Sequence, residues 1–183
     1  MQLPLFPLSM LLLPGGLSKL RIFEPRYQRL VSLATSSGQG FILTPATDDY
    51  ELGVRCYIND FEQLEDGLLG IDICAEQRVN INNVYRDDDG LNFAECEIAP
   101  DWQWQQHSAS EQLSRQLENL LARHPCYADH PEARHLDSPG WSICRWLELL
   151  PFSNEARAHI LSEDNPVVLE HLAEQLAAAI TQA

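Results

Sequence analysis

The chain reads as an α+β protein: a mostly antiparallel pseudo β-barrel containing one early helix, followed by a bundle of about four helices. Three observations predict this. About six short apolar runs separated by turn residues fill residues 1–100 with a single helical stretch among them, which argues against alternating βαβ units. From residue 101 the apolar period changes to the helical 3.6. The polar stretch Pro100 to Ala109 marks the switch and divides the chain into a β subdomain, 1–100, and a helical subdomain, 101–183. With 183 residues, 45% of them hydrophobic, there is material for one sizeable core or two small ones.

Leu3-Pro4 and Phe6-Pro7 are extended, because a residue before proline is pushed away from the α region, and the missing N–H groups predict an edge-like strand. Pro14-Gly15-Gly16 is turn chemistry. Leu17, Leu20 and Ile22 alternate imperfectly with Lys19 and Arg21, which predicts a strand with a bulge. Glu24-Pro25 opens a helix, with Phe23, Tyr27, Leu30, Val31 and Ala34 at helical spacing, and Gly38 ends it. Proline at 4, 7 and 14 breaks any helix here, the run is shorter than the roughly 20 apolar residues of a membrane span, and its first basic residue comes after it. A folded opening is expected rather than a targeting signal.

Gly40 to Thr44 suits a buried strand ended by Pro45. Leu52 to Phe61 alternates, with Val54, Cys56 and Ile58 against Arg55, Tyr57 and Asn59. Glu65-Asp66-Gly67 gives a hairpin turn, after which Leu69, Ile71, Ile73 and Ala75 recur every second residue and run on to Ile81. Asp87-Asp88-Asp89-Gly90 turns the chain into a last strand through Ala99. Beyond it, Ser108 and Glu111 form a capping box ahead of Leu113, Leu117, Leu120 and Leu121. A polar loop follows His124-Pro125. Ser138-Pro139 caps a helix with Ile143, Trp146, Leu147 and Leu150 on one face, Ser153 recaps a short one reaching Leu161, and Asp164 opens a last helix carrying Leu169, Leu172, Ala173, Leu176 and Ile180.

Counts of 12 basic and 27 acidic residues give a net charge of −15, which repels phosphate backbones and anionic lipid. Neither nucleic acid nor membrane is an expected partner. Five cysteines without a close pair predict a reduced, cytoplasmic protein.

The strings Leu-Pro-Leu-Phe-Pro-Leu from Leu3, Leu-Pro-Gly-Gly from Leu13 and Leu-Arg-Ile-Phe-Glu-Pro-Arg-Tyr from Leu20 resemble the opening of the Lon protease N-terminal substrate-binding domain, particularly the small stand-alone bacterial proteins that carry it alone. The resemblance implies a PUA-like pseudo-barrel. It also implies a non-enzymatic domain that binds unfolded or specific polypeptide segments, an adaptor for a separate protease or chaperone, without the ATPase and protease modules of full-length Lon. The residues agree on the last point: no phosphate-cradling Gly-x-x-x-x-Gly-Lys-Ser/Thr occurs, and the only lysine, Lys19, sits at an expected exposed position. No cofactor is expected. A PUA-like fold also raises RNA binding by analogy, to be judged by whether Arg21, Arg26, Arg29, Arg55 and Arg78 converge.

For peptide contact the candidates are Phe6, Met10, Leu12, Tyr50, Tyr57, Trp102 and Trp104, large apolar groups that either line an exposed groove or fill the seam between the two subdomains. The alternative function is a small hydrolase using a Cys/His or metal site in the loop 124–137, with Cys126, His130 and His135 as candidates. That loop lacks Cys-x-x-Cys or close histidine pairs, so a polar connector without metal is the plainer expectation.

Overall fold

Two prolines decide where the first strand can sit. β1 (Gln2–Leu8) pairs antiparallel with β6 (Asn92–Ile98) through Gln2 to Leu5, and parallel with β3 (Phe41–Pro45) through Leu5 to Leu8. The two ladders overlap only at Leu5, so Pro4 and Pro7 each lie where one neighbour is paired and a missing N–H breaks no second ladder. β1 is therefore an inner strand, not the edge its prolines suggest.

The computed structural model describes residues 1–105, 108–128 and 130–181. β2 (Leu17–Ile22), β4 (Leu52–Gln63) and β5 (Leu69–Arg86) complete a six-stranded, mostly antiparallel sheet in the order β2-β5-β4-β3-β1-β6. The 18-residue β5 pairs with β2 near its start and with β6 near its end, which curls the sheet into a barrel-like form that is not fully closed. Register shifts at Arg55/Cys56, Ile58/Asp60 and Asn82/Tyr85 supply the bending. The bulge expected in β2 is absent, because Leu17 to Ile22 stay in step with Cys74 to Leu69. Leu17 is instead partly buried against the main core, and its N–H donates to the Tyr127 hydroxyl.

α1 (Pro25–Ser37) buries Leu30, Val31 and Ala34 and ends at Gly38, whose φ of 65° is the left-handed geometry that glycine adopts without strain. After β6 come α2 (Ser108–Leu121), a 3₁₀ turn (Pro131–Ala133), α3 (Pro139–Glu148), α4 (Asn154–Ser162) and α5 (Pro166–Thr181). Ser138 and Ser153 cap α3 and α4 as expected, accepting from the N–H groups of Trp141 and Ala156. At α5 the side chain of Asn165 accepts from Val167 N–H, whereas Asp164 turns to Arg78. The Ser108/Glu111 capping box lies outside the described side chains. Leu113, Leu117 and Leu121 are buried on α2, and Leu169 and Ala173 on α5, while Leu120 and Ile180 at the stripe margins are exposed.

One hydrophobic core runs from sheet to bundle, with Phe6, Leu13 and Phe41 in the same cluster as Leu117, Trp146 and Leu169. A smaller cluster of Leu3, Leu5, Ile42, Val79, Ile81, Ala94 and Cys96 lies among β1, β3, β5 and β6. Among the described residues no helix is long and apolar enough to cross a membrane.

Candidate functional site

α3 grips the turn that follows β1. Apart from Arg145 and Glu148, α3 carries no charged residue, and the spacing of three places this pair on one side of the helix. Arg145, 1% exposed, donates from one guanidinium nitrogen to the carbonyls of Leu13 (2.8 Å) and Pro14 (3.2 Å) and to Glu148 Oε1 (2.7 Å). The same Glu148 oxygen accepts Leu13 N–H at 2.5 Å, and Trp141 Nε1–H donates to the Gly15 carbonyl at 3.0 Å. Burial pushes the Glu148 carboxyl upward, while Arg145 and the Leu13 N–H pull it back. The glycines are required here: a Cβ on Gly16 would stand 2.8 Å from both Glu148 Oε1 and Leu12 Cδ1, and Gly15 has φ of 79° with Trp141 against it.

A second buried arginine fixes the linker after β6. Arg78, on β5 and 3% exposed, donates to the carbonyls of Pro100 (2.7 Å) and Leu161 (2.9 Å), reaches Asp164 at 3.3 Å, and lies 4.0 Å over the Trp102 ring. Trp102 in turn donates to the Glu163 carbonyl at 2.7 Å.

These tethers account for part of the expected contact set. Phe6, Leu12 and Trp102 are buried, Phe6 against Tyr27 and Phe41, so they serve mainly as core residues. Trp104 is half-buried beside Trp102. Met10 is half-buried in a cleft of about 100 Å³ that Leu12 also lines, with Leu121, His124 and Leu149. Tyr50 leans on the smaller core cluster, and Tyr57 lies under the Arg55 guanidinium on the sheet's outer face. The seven are distributed over core, seam and outer face and do not line one groove.

Instead the fold brings Lys19 together with the segment after α2. A groove of about 370 Å³ separates the outer face of β2, β5 and β4 from Cys126, His130, Glu132 and Ala133, and Leu17, Lys19, Asp60 and Asp72 are among its other walls. Lys19 Nζ lies 3.0 Å from Asp72, and His130 Nδ1 lies 3.0 Å from Glu132. The outer edge of β2 is covered here: Leu17 N–H goes to the Tyr127 hydroxyl, and Lys19 N–H faces the Cys126 thiol. Covering an edge strand in this way blocks addition of another strand. A larger cavity, about 480 Å³, lies between the β3–β4 loop and α4, rimmed by Asp48, Asp49, Glu51 and Glu155.

The hydrolase candidates gain no activation from this arrangement. Burial pushes the Cys126 thiol up against the pull of Lys19, so it is protonated near neutral pH and a poor nucleophile. His135 packs edge-on against Trp141. Among the described residues no group of three or more His, Cys, Asp or Glu is placed to hold a metal. The five arginines of the RNA reading are engaged separately: Arg21 with Asp66, Arg26 with Glu24, Arg29 with Asp87 and Asp89, Arg78 with Asp164, and Arg55 with the Gln39 carbonyl.

Sequence reasoning missed Arg145, Glu148, Asp60 and Asp72, and named Arg78 only among the arginines of the RNA reading. For Arg145 and Glu148 the sequence shows only opposite charges three apart on an otherwise uncharged helix, which pairs them without saying that the pair points inward. For Asp60 and Asp72 no signal exists, because their adjacency depends on the register of a bulged hairpin.

Comparison with known proteins agrees with this architecture. The family model for the ATP-dependent protease La (Lon) substrate-binding domain matches residues 2–174. A crystal structure of a Lon N-terminal domain protein from Xanthomonas campestris is 32% identical, covers 94% of this chain and 96% of its own, and superposes with a TM-score of 0.73. The N-terminal domain of a Mycobacterium avium complex Lon protease, at 13% identity, covers 97% of this chain and 98% of its own with a TM-score of 0.71, and shares the fold. No curated protein matches. With opening motif, barrel-like sheet and helical bundle all inside one match, the chain belongs to the Lon substrate-binding domain family.

Proposed function

We propose that the chain is a non-catalytic polypeptide-binding domain that captures unfolded or specific segments by burying their apolar side chains, as an adaptor for a separate protease or chaperone. The match to a substrate-binding family over residues 2–174 carries this reading. Two features support it. The outer face of β2, β5 and β4 offers a groove of about 370 Å³, within the size range of ligand clefts, and its Cys126 thiol is not activated for covalent chemistry. Five free cysteines fit a reducing, cytoplasmic setting. Mixing the purified protein with denatured casein should yield a complex by size exclusion with light scattering. Two unshifted elution peaks at micromolar concentrations would sink the proposal.

A further inference from the structure

We infer that the groove between the outer sheet face and Cys126, His130, Glu132 and Ala133 takes an extended segment in which a basic side chain stands next to an apolar one; this rests on the polypeptide-binding reading and names the class of segment. Across the outer face, Lys19, Asp72 and Asp60 stand in one row, each opposite the next. Two carboxylates face each other across β4 and β5, an arrangement that is unfavourable when unbalanced. The row has one ammonium, and Lys19 Nζ is held by Asp72 at 3.0 Å. Among the described residues, Asp60 accepts the adjacent Phe61 N–H, through Oδ1, and no basic side chain. His130, across the groove, is turned to Glu132, and Arg21, one row on, is paired with Asp66. The walls thus carry three carboxylates, Asp60, Asp72 and Glu132, against one lysine and one histidine. A guanidinium or ammonium from an entering chain completes the row at Asp60. Its apolar neighbour then covers Leu17, Cys126 and Ala133, which with Ile73 form the apolar part of the wall. Because the β2 edge is already covered by Tyr127 and Cys126, the entering chain is held by side chains and not by an added strand.

The test uses two fluorescein-labelled peptides identical except for alternating Leu-Arg or Leu-Glu, read by anisotropy at about 0.15 M salt, with denatured casein as a third probe. The Leu-Arg peptide should bind more tightly. Asp60→Asn keeps Oδ1 and removes the charge, and should weaken Leu-Arg binding about threefold, the scale of one exposed ion pair. Asp48→Asn, an equal charge change at the other cavity, should leave it unchanged. Ala133→Trp, which fills the groove, should weaken that peptide by roughly tenfold. If casein binds but the two peptides bind alike, or Asp60→Asn and Asp48→Asn lose equally, this inference fails and the polypeptide-binding reading stands. If neither casein nor either peptide binds, both fail.

Discussion

Single residues around the opening turn carry geometric demands that their chemistry alone does not announce. Gly16 is hemmed in by Glu148, Leu12 and Arg145, all within 3.0 Å of where a Cβ would sit. Gly16→Ala should therefore cost about 1–3 kcal/mol, the usual range for overpacking a tight site, read as a lower urea midpoint at unchanged slope. A midpoint equal to wild type would show that the clamp yields freely. Arg29 sets a different condition. It donates to Asp87 and Asp89 in the β5–β6 turn, both at 2.7 Å, and holds both carboxyls below their usual value of 3.8. A carboxyl depressed in the folded state stabilises above its unfolded pKa, and that contribution is lost as pH falls through the folded value. The melting temperature of Arg29→Ala should thus lie below wild type near neutral pH, with the gap closing as pH drops below about 3.8. A gap that persists in strong acid would assign Arg29 a packing role instead.

At the scale of elements, α3 shows both what periodicity reveals and what it hides. Ser138-Pro139 and the stripe Ile143, Trp146 and Leu147 predict the helix, and the structure has it from Pro139 to Glu148. The inward charged pair stays hidden, because amphipathic reasoning assigns charge to solvent and cannot foresee that a neighbouring turn offers carbonyls and an N–H at that place. Strand register hides similarly. Asp60 stands opposite Asp72 only because β4 slips one residue between Ile58 and Asp60. Phe6, Leu12 and Trp102 illustrate a third limit: residue type ranks burial but does not sort an apolar side chain between seam and surface. What the sequence conveys well is local, the turn at Pro14-Gly15-Gly16 and the caps at Ser138 and Ser153. The α3 clamp gives an element-scale prediction. Arg145→Met leaves the Glu148 carboxylate and the Leu13 and Pro14 carbonyls without their donor, and should cost about 3–5 kcal/mol, as expected for a broken buried pair. Urea unfolding of Arg145→Met and of the milder Glu148→Gln, which keeps an acceptor, separates charge from hydrogen bonding. Equal losses in the two would contradict the ranking.

For the whole molecule, the question is whether sheet and bundle are one folding unit. The core is continuous between them, with Leu12 and Leu13 of the opening packed in the same cluster as Trp141 and Leu147. Two buried arginines reinforce it from opposite directions: Arg145 reaches from bundle to opening turn, and Arg78 reaches from β5 to the carbonyls of Pro100 and Leu161. Neither half can leave without stranding a guanidinium or several carbonyls, each an unsatisfied polar group that costs on the order of 1–3 kcal/mol in a dry interior. Cooperative loss of both halves is the consequence, even though chains of this length often populate intermediates. The tryptophans make this measurable, because Trp102, Trp104, Trp141 and Trp146 all lie beyond residue 100 and report on the helical side. Amides of β3 and β4, buried at Phe41 to Leu43 and at Val54 and Cys56, report on the sheet through hydrogen exchange. In urea the fluorescence midpoint and the loss of strand protection should coincide. In Arg145→Met they should separate, the bundle signal falling first while strand amides remain protected, since the clamp is what couples the opening turn to α3. Strand protection that outlasts the fluorescence change already in wild type would mean that the sheet folds without the bundle, and that the shared core adds stability without adding cooperativity.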